Sequence, residues 1–261
     1  MLLSIDSGVS ALQSYQQELD VISNNIANVN TVGYKTANVD FADTLSETLG
    51  STAAGTTQVG TGVTTSSISS DYATGTLTST GVTSDLAVNG NGFFVVKDPN
   101  TGASYVTQDG TFTMDSSGYL VTSSGLRLQG ASGDIQITSG SSATVSSYAI
   151  GTDGTITTTL SDGTTATSGQ IALQNFTNPN QLTKVGSNLY TATSAAGGLT
   201  SAVTPGTSGT GTIKSGYLES SNVDLASQLT SLITTERAYE ANSKVITTSD
   251  DVLQTLIALK R

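Results

Sequence analysis

Two stretches, one at each end of the chain, carry apolar residues at a seven-residue spacing. In the carboxyl-terminal stretch the residues at this spacing are Leu218, Leu225, Leu232, Tyr239, Ile246 and Leu253. Such a repeat keeps one apolar stripe facing a partner helix, as in a coiled coil. A second stripe is incomplete because Glu236, Ser243 and Asp250 interrupt it. We therefore predict a helix roughly 55 Å long that gains its stability from packing against other helices.

The amino-terminal stretch predicts a matching helix over residues 1–29. Its residues at the seven-residue spacing are Ile5, Leu12, Leu19 and Ile26. Four asparagines, Asn24, Asn25, Asn28 and Asn30, crowd its end, and Gly33 is a suitable terminating residue. Two interpretations stay open. The terminal helices pair with each other within one chain, or they pair and also pack against copies of the chain.

Capping residues mark the limits of the carboxyl-terminal helix. Ser221 and Asn222 are good N-cap residues, and Asp224 would favour the positive end of the helix dipole. Lys260 and Arg261 would favour the negative end.

The residues that follow the first helix have a weaker pattern. Phe41, Leu45 and Leu49 lie four residues apart, which predicts a short helical face. Residues 50–84 are rich in Ser, Thr and Gly with small alternations, and we predict an extended linker with short strands.

Residues 85–212 predict an all-β domain. Leu86–Val88 and Phe93–Val96 flank Asn89-Gly90-Asn91-Gly92, a strong signal for a hairpin turn. Five further dipeptides are typical of turns: Asp109-Gly110, Ser117-Gly118, Ser124-Gly125, Asp153-Gly154 and Asp162-Gly163. Residues 191–212 predict a flexible return linker. The fold class is then α+β, with paired, coiled-coil-like terminal helices and an inserted all-β domain.

Composition excludes several classes of function. The net charge of −11 argues against binding to nucleic acid, and no stretch reaches the roughly 20 apolar residues of a membrane span. The chain has no His and no Cys, so it cannot form a Ser-His-Asp or Cys-His catalytic arrangement. We predict no catalytic, cofactor-binding or metal-binding residues and no enzymatic activity. No basic segment followed by an apolar run and a cleavage site precedes the first helix, so an ordinary secretory signal is not expected.

Aspartates of the β region could serve in turns or bind Ca²⁺. Aspartate before glycine usually bonds its own backbone in a turn, and no loop has calcium-ligand spacing, so we favour the turn role.

Lys35 is the first basic residue of the chain and the only one before Lys97. It is interpreted either as a solvated lysine or as a contact to an acidic surface of a neighbouring subunit.

Separated segments resemble the bacterial flagellar rod and hook proteins. Residues 20–35, with the sequence DVISNNIANVNTVGYK, resemble the amino-terminal signature of that family, and residues 216–225 and 236–244 resemble its carboxyl-terminal signature. Residues 85–96 and 105–112 resemble the start of its β domain. The signature positions are Asn24, Asn25, Asn28, Gly33, Tyr34, Lys35, Ser221, Asn222, Arg237 and Asn242.

The resemblance implies a subunit of a helical homopolymer in the hook-basal body. It implies export through the flagellar type III apparatus, addition under a hook cap, and contact with neighbouring rod and hook–filament junction proteins. Residues 1–49 and 213–261 would form the inner tube, and residues 85–212 would face outward. The apolar repeats of both helices, from Ile5 to Ile26 and from Leu225 to Leu253, would be the assembly residues.

Some features of the chain resemble hook proteins, and others suit distal rod proteins. Phe41-Ala42-Asp43 and the final six residues resemble hook proteins, and residues 49–59 show no obvious added hairpin of the rod type. Length and a single β domain suit a distal rod protein or a small hook. We predict a hook subunit that transmits torque through a flexible tube, with a rigid distal rod subunit as the alternative. A secreted β adhesin or carbohydrate-binding protein is a remote alternative.

Overall fold

The structure is a computed structural model that describes residues 2–52, 55–138, 144–197 and 203–259. Contacts between Cα atoms divide the chain into two units. Unit 1 comprises Met1–Val29, Thr36–Asp71 and Val223–Arg261, and unit 2 comprises Asn30–Lys35 and Tyr72–Asn222.

Unit 1 is built from two long helices and four strands. In chain order its elements are α1 (Leu2–Ala27), β1 (Ala37–Asp43), β2 (Ser46–Thr52), β3 (Gly55–Gly60), β4 (Val63–Ser70) and α2 (Leu225–Leu259). The helices are antiparallel, since Asn25 near the end of α1 bonds Gln228 near the start of α2, and Gly8 faces Ile246. Strands β1 and β4 pair antiparallel, and β2 and β3 form a hairpin.

The predicted helical face of Phe41, Leu45 and Leu49 is wrong. Phe41 lies in β1, Leu49 lies in β2, and Leu45 lies between the strands with 89% of its surface exposed. The backbone of β1 is bonded along its length to β4, and the Phe41 ring lies edge-on to Tyr15 of α1, 5.9 Å between centroids. The pairing of β1 with β4 therefore decides the local structure, and the four-residue spacing of the three apolar residues does not produce a helix. The β2–β3 hairpin also overlaps residues 49–59, where the sequence predicted no added hairpin of the rod type.

Unit 2 holds the remaining strands. They are β5 (Leu77–Ser79), β6 (Leu86–Asn89), β7 (Phe93–Lys97), β8 (Ser104–Thr107), β9 (Thr113–Met114), β10 (Leu120–Val121), β11 (Arg127–Gly130), β12 (Gly133–Asp134), β13 (Val145–Ile150), β14 (Thr155–Leu160), β15 (Thr165–Gln170), β16 (Leu173–Gln174), β17 (Thr183–Gly186), β18 (Leu189–Thr191), β19 (Thr212–Ser215) and β20 (Tyr217–Glu219). Short 3-10 turns occur at Pro179–Gln181 and Ser194–Ala196.

The largest sheet of unit 2 has the order β17-β18-β8-β7-β11-β10-β9, with β12 on β11 and β16 on β7. Strands β13, β14 and β15 form a second sheet, while β19 pairs with β6 and β20 pairs with β5. Buried aliphatic and aromatic side chains, including Phe94, Phe112, Leu128 and Ile171, form the main core. The α+β class is confirmed.

The predicted hairpin at Asn89–Gly92 is wrong in its pairing. Gly90 and Gly92 do have positive φ, 118° and 144°, as the sequence suggested. Strand β6 nevertheless pairs with β19, more than 120 residues later in the chain, and β7 pairs with β8, β11 and β16. The local signal predicted the backbone conformation correctly, but distant strands supply the partners.

The carboxyl-terminal helix begins later than the apolar repeat suggests. Leu218 lies in β20, and α2 starts at Leu225. Asp224 acts as the N-cap, because its Oδ1 accepts from the Ala226 N–H at 3.0 Å, so Ser221 and Asn222 are not the cap. Lys260 and Arg261 lie outside the described residues. The assignment of the helices to an inner tube and of the β domain to an outer layer stays a prediction. Across the described residues, neither helix combines the length and apolarity needed to cross a bilayer.

Candidate assembly surface and buried ion pair

The surface between α1 and α2 is rich in small and polar side chains. From α2, residues that face α1 include Gln228, Ser231, Thr235, Asn242 and Ile246, which we call the inner stripe. Val245 lines the same cavity beside α1 as Asn242, although 43% of its surface is exposed. Thr235 is the one buried residue among those described in α2. From α1, Gly8, Ser14, Ile22 and Asn25 are buried. The inner stripe is therefore mainly polar, with Ile246 as its large apolar side chain.

Asn25 ties three elements of unit 1 together. Its side-chain amide donates to the Ala37 carbonyl at 2.8 Å and to Gln228 Oε1 at 3.1 Å. Its Oδ1 accepts from the Ala37 N–H at 3.0 Å. With 1% of its surface exposed, Asn25 joins α1 to the start of β1 and to α2. Sequence reasoning found this residue as a signature position but not its role.

Gly8 allows a close approach of the two helices. A Cβ at this position would lie 3.2 Å from Ile246 Cγ1. That distance is shorter than an ordinary carbon–carbon contact of about 3.5–4.0 Å.

Large apolar side chains of α2 are left exposed to solvent. They are Leu225, Leu229, Ile233, Tyr239, Val245, Val252, Leu256, Ile257 and Leu259, with exposed fractions from 37% to 83%. Exposed apolar side chains in such number on one helix are typical of an interaction surface.

The predicted assembly residues occupy mixed positions. Ile5, Leu12, Leu19 and Ile26 of α1 are half-buried, as are Leu232, Ile246 and Leu253 of α2. Leu225 and Tyr239 are exposed. Their part in assembly stays a prediction.

Lys35 forms a buried ion pair within unit 2. Its Nζ lies 2.7 Å from Glu219 Oε1, and the two side chains are 1% and 2% exposed. The ammonium also donates to the Ala73 carbonyl at 2.8 Å, and Glu219 Oε1 accepts from the Gly75 N–H at 2.7 Å. Each charge thus has an opposite charge and further hydrogen bonds, the condition under which buried charges are tolerated.

Both interpretations of Lys35 from the sequence are therefore wrong. The lysine is neither solvated nor directed at an acidic surface of a neighbour, because Glu219 of the same chain holds it. A signal for this partner was present, since Lys35 and Glu219 stand in the amino-terminal and carboxyl-terminal signature segments.

The backbone around this ion pair is closely packed. Gly33 has φ +68°, its N–H donates to the Glu219 carbonyl at 2.8 Å, and a Cβ here would lie 2.8 Å from the backbone of Gln108 and Asp109. The Asn222 amide donates to the Ala73 carbonyl at 3.3 Å. Three segments that are distant in sequence thus meet at the ion pair.

The other signature positions have more local contacts. Asn28 donates to the carbonyl of Asn24 at 2.9 Å, and Asn242 donates to the Ala238 carbonyl at 2.9 Å. Arg237 is exposed and Ser221 is half-buried. The Lys184 ammonium lies 5.8 Å from the centre of the Tyr34 ring, and burial raises the pKa of the Tyr34 phenol and lowers the pKa of Lys184.

Aspartates of the β domain have the turn role that the sequence predicts. Asp153 Oδ1 accepts from the Thr155 N–H, and Asp162 Oδ1 accepts from the Thr164 N–H. The threonine hydroxyls add a second bond to each carboxylate, and these bonds lower the pKa of both groups below the ordinary value. Gly154 and Gly163 follow with φ of 79° and 83°.

Comparison with known proteins matches both ends and the middle of the chain. The family model described as flagella basal body rod protein matches residues 5–35. The flagellar hook protein FlgE/F/G D1 domain matches residues 87–158, and the flagellar basal body rod FlgEFG protein C-terminal model matches residues 214–259.

Individual relatives of the chain are also flagellar proteins. The flagellar basal-body rod protein FlgG of Bacillus subtilis is 43% identical over 270 residues, which cover 100% of both chains. FlgG of Buchnera aphidicola (Schizaphis graminum) is 39% identical over 99% of this chain and 100% of its own. The flagellar hook protein FlgE of Borreliella burgdorferi is 40% identical over 139 residues, 50% of this chain and 31% of that protein.

The comparisons identify the chain, with its paired terminal helices and inserted β domain, as a structural protein of the bacterial flagellum and not an enzyme. The chain belongs to the family of flagellar basal-body rod and hook proteins. Membership in this family argues against the remote alternative of an adhesin or carbohydrate-binding protein. Within the family, the comparisons favour the rod over the predicted hook, because rod proteins match from end to end and the hook protein matches half of the chain.

Proposed function

We propose that this chain is the subunit of the flagellar distal rod, a rigid shaft that transmits torque to the hook. The observation that carries the proposal is the end-to-end match to basal-body rod proteins, compared with coverage of 31% of the hook protein. The distal rod thus replaces the hook, which the sequence predicted, as the preferred assignment, and the hook becomes the alternative.

The helix pair of unit 1 provides a surface through which copies of the chain would assemble. The inner stripe uses polar side chains and Ile246 within one chain, so the exposed aliphatic residues of α2 are available to other copies. Full burial of an exposed aliphatic side chain contributes about 1.5–3 kcal/mol, and most of these half-exposed side chains would gain about half of that on assembly. Copies of the chain are thus the partners that the surface chemistry favours, in a helical homopolymer without nucleic acid or membrane insertion.

The β2–β3 hairpin also supports the rod. The resemblance associates an added hairpin in this part of the chain with rod proteins, and its supposed absence favoured the hook. Strands β2 and β3 pair from Ser46–Gly60 to Thr52–Gly55. Additional contacts of such a hairpin would stiffen the shaft. Export through the type III apparatus and contact with adjoining rod and hook proteins complete the proposal.

Electron microscopy of hook-basal bodies from cells that lack this gene tests the assignment. Truncated rods without hooks are the expected result. Complete rods without hooks would return the assignment to the hook, and normal rods and hooks would refute both. Complementation with the wild-type gene is the control and should restore rod length.

A further inference from the structure

Seven of the nine exposed apolar residues of α2 form two separate patches, and Tyr239 and Ile257 belong to neither. Patch A consists of Leu225, Leu229 and Ile233, which are 43%, 45% and 52% exposed. Patch B consists of Val245, Val252, Leu256 and Leu259, which are 43%, 47%, 51% and 83% exposed. Neither patch contains a charged residue. Glu236 and Glu240, both exposed, follow patch A one and two turns beyond Ile233.

The patches lie on opposite flanks of the inner stripe. Successive residues of an α-helix are rotated by about 100°. Leu229 follows Gln228 by one residue and is rotated by about +100° from it. Val245 precedes Ile246 by one residue and is rotated by about −100°, and Val252 has the same relation to the half-buried Leu253. The apolar surface therefore changes flank between the first and second halves of α2.

Patch B also extends past the end of the helix pair. The Asn25–Gln228 bond and the Gly8–Ile246 contact fix the antiparallel register. Continued at the same rise, this register places Leu2, the start of α1, beside about residue 251 of α2. The last turns of α2, with Leu256 and Leu259, thus project about 11 Å beyond Leu2 and are not covered by α1.

We propose that patch B of one copy docks on patch A of the next copy, in a head-to-tail contact. The inference rests on the proposed polymer and adds the surfaces that join its subunits. Subunits that repeat in one direction need two different contact surfaces, whereas a two-fold dimer pairs one patch with itself. Two uncharged patches on opposite flanks and at opposite ends of one helix meet that need. Because Leu229 and Val252 are separated by 23 residues, neighbouring copies are displaced along the helix axis by roughly 35 Å.

Cysteine cross-linking tests the contact cleanly because the chain contains no cysteine. Cells that lack the gene are complemented with the full-length double variant Leu229→Cys and Val252→Cys, and isolated hook-basal bodies are treated with a short bis-maleimide. The two thiols of one chain are too far apart to be bridged. The expected product is a ladder of covalent multimers on a denaturing gel. The matched control pairs Ser227→Cys with Val252→Cys, since the exposed Ser227 precedes Gln228 by one residue and so lies on the other flank, at about −100°. At least tenfold less multimer is expected from this control.

Each outcome decides between distinct explanations. Dimers from either single-cysteine variant would reveal a patch that pairs with itself and would overturn the head-to-tail contact. Equal ladders from the test and control pairs would overturn the flank assignment. Absence of this chain from the isolated rods would refute the proposed function itself.

As a second measurement, purified Leu229→Asp and Val252→Asp chains should each stay monomeric at concentrations where the wild type and Gln254→Asp form tubes. Tubes from either patch variant would overturn the inference while leaving the rod function intact.

Discussion

Lys35 and Glu219 form an ion pair of 2.7 Å although 184 residues separate them in the sequence. Both side chains are almost fully buried. The pair joins the segment that follows α1 to the segment that precedes α2, and it also fixes the backbone at Ala73 and Gly75.

Replacing one member of this pair should destabilise unit 2 strongly. Lys35→Met leaves the Glu219 carboxylate buried without its counter-charge, which costs about 3–5 kcal/mol. The double variant Lys35→Met with Glu219→Gln removes both charges and should recover much of that loss. Urea unfolding followed by tyrosine fluorescence measures the effect, since seven of the nine tyrosines belong to unit 2. Additive losses in the double variant would contradict a coupled pair.

Gly33→Ala should destabilise unit 2 by more than about 2 kcal/mol, because a left-handed backbone and a clash act together. The Cβ would enter the backbone of Gln108 and Asp109. Gly125→Ala is the matched control, since Gly125 has φ +80° and a Cβ added there would meet no other atom within 4 Å. The control should cost about 1 kcal/mol. Equal costs in urea unfolding would show that the close approach at Gly33 has no energetic effect.

Asn25→Ala should destabilise unit 1 by about 2–4 kcal/mol, because the buried N–H and C=O of Ala37 lose their partners. Asn24→Ala is the control, since Asn24 is an exposed neighbour on the same helix, and its effect should stay within about 0.5 kcal/mol. Loss of helical circular dichroism on heating measures both. Similar melting temperatures for the two variants would contradict the role of Asn25 as the connection between α1, β1 and α2.

Acid should weaken the turns at Asp153 and Asp162. Their folded-state pKa values lie below the ordinary 3.8, because threonine hydroxyl and backbone donors stabilise the carboxylates. This contribution is complete above the pKa of the unfolded chain and is lost as the pH falls through the lower folded values. Asp153→Asn and Asp162→Asn should therefore reduce the fall in melting temperature between about pH 5 and about pH 2. An NMR titration of the two carboxyl carbons checks the pKa direction directly.

Sequence reasoning succeeded where the signal is periodic or strictly local. The seven-residue repeat located both helices, and Asp-Gly dipeptides located turns with the predicted hydrogen bonds. It failed where long-range pairing decides, as for β6, which joins β19 and not its sequence neighbour β7. It also missed Glu219 as the partner of Lys35. Both residues stand in signature segments, but the charge pattern alone does not indicate which two distant residues are buried together.

The ion pair has a consequence for the order in which the chain can fold. A chain that emerges amino-terminus first presents Lys35 long before Glu219, and strands β5 and β6 before their partners β20 and β19. Non-local contacts of this kind require closure of a long loop and fold slowly. Unit 2 therefore completes its folding only once residue 219 is available, although the strands of the largest sheet and of the β13–β15 sheet all find their partners before residue 192. The ion pair is thus a late closing contact of unit 2, because Glu219 is among the last residues of that unit to be synthesised.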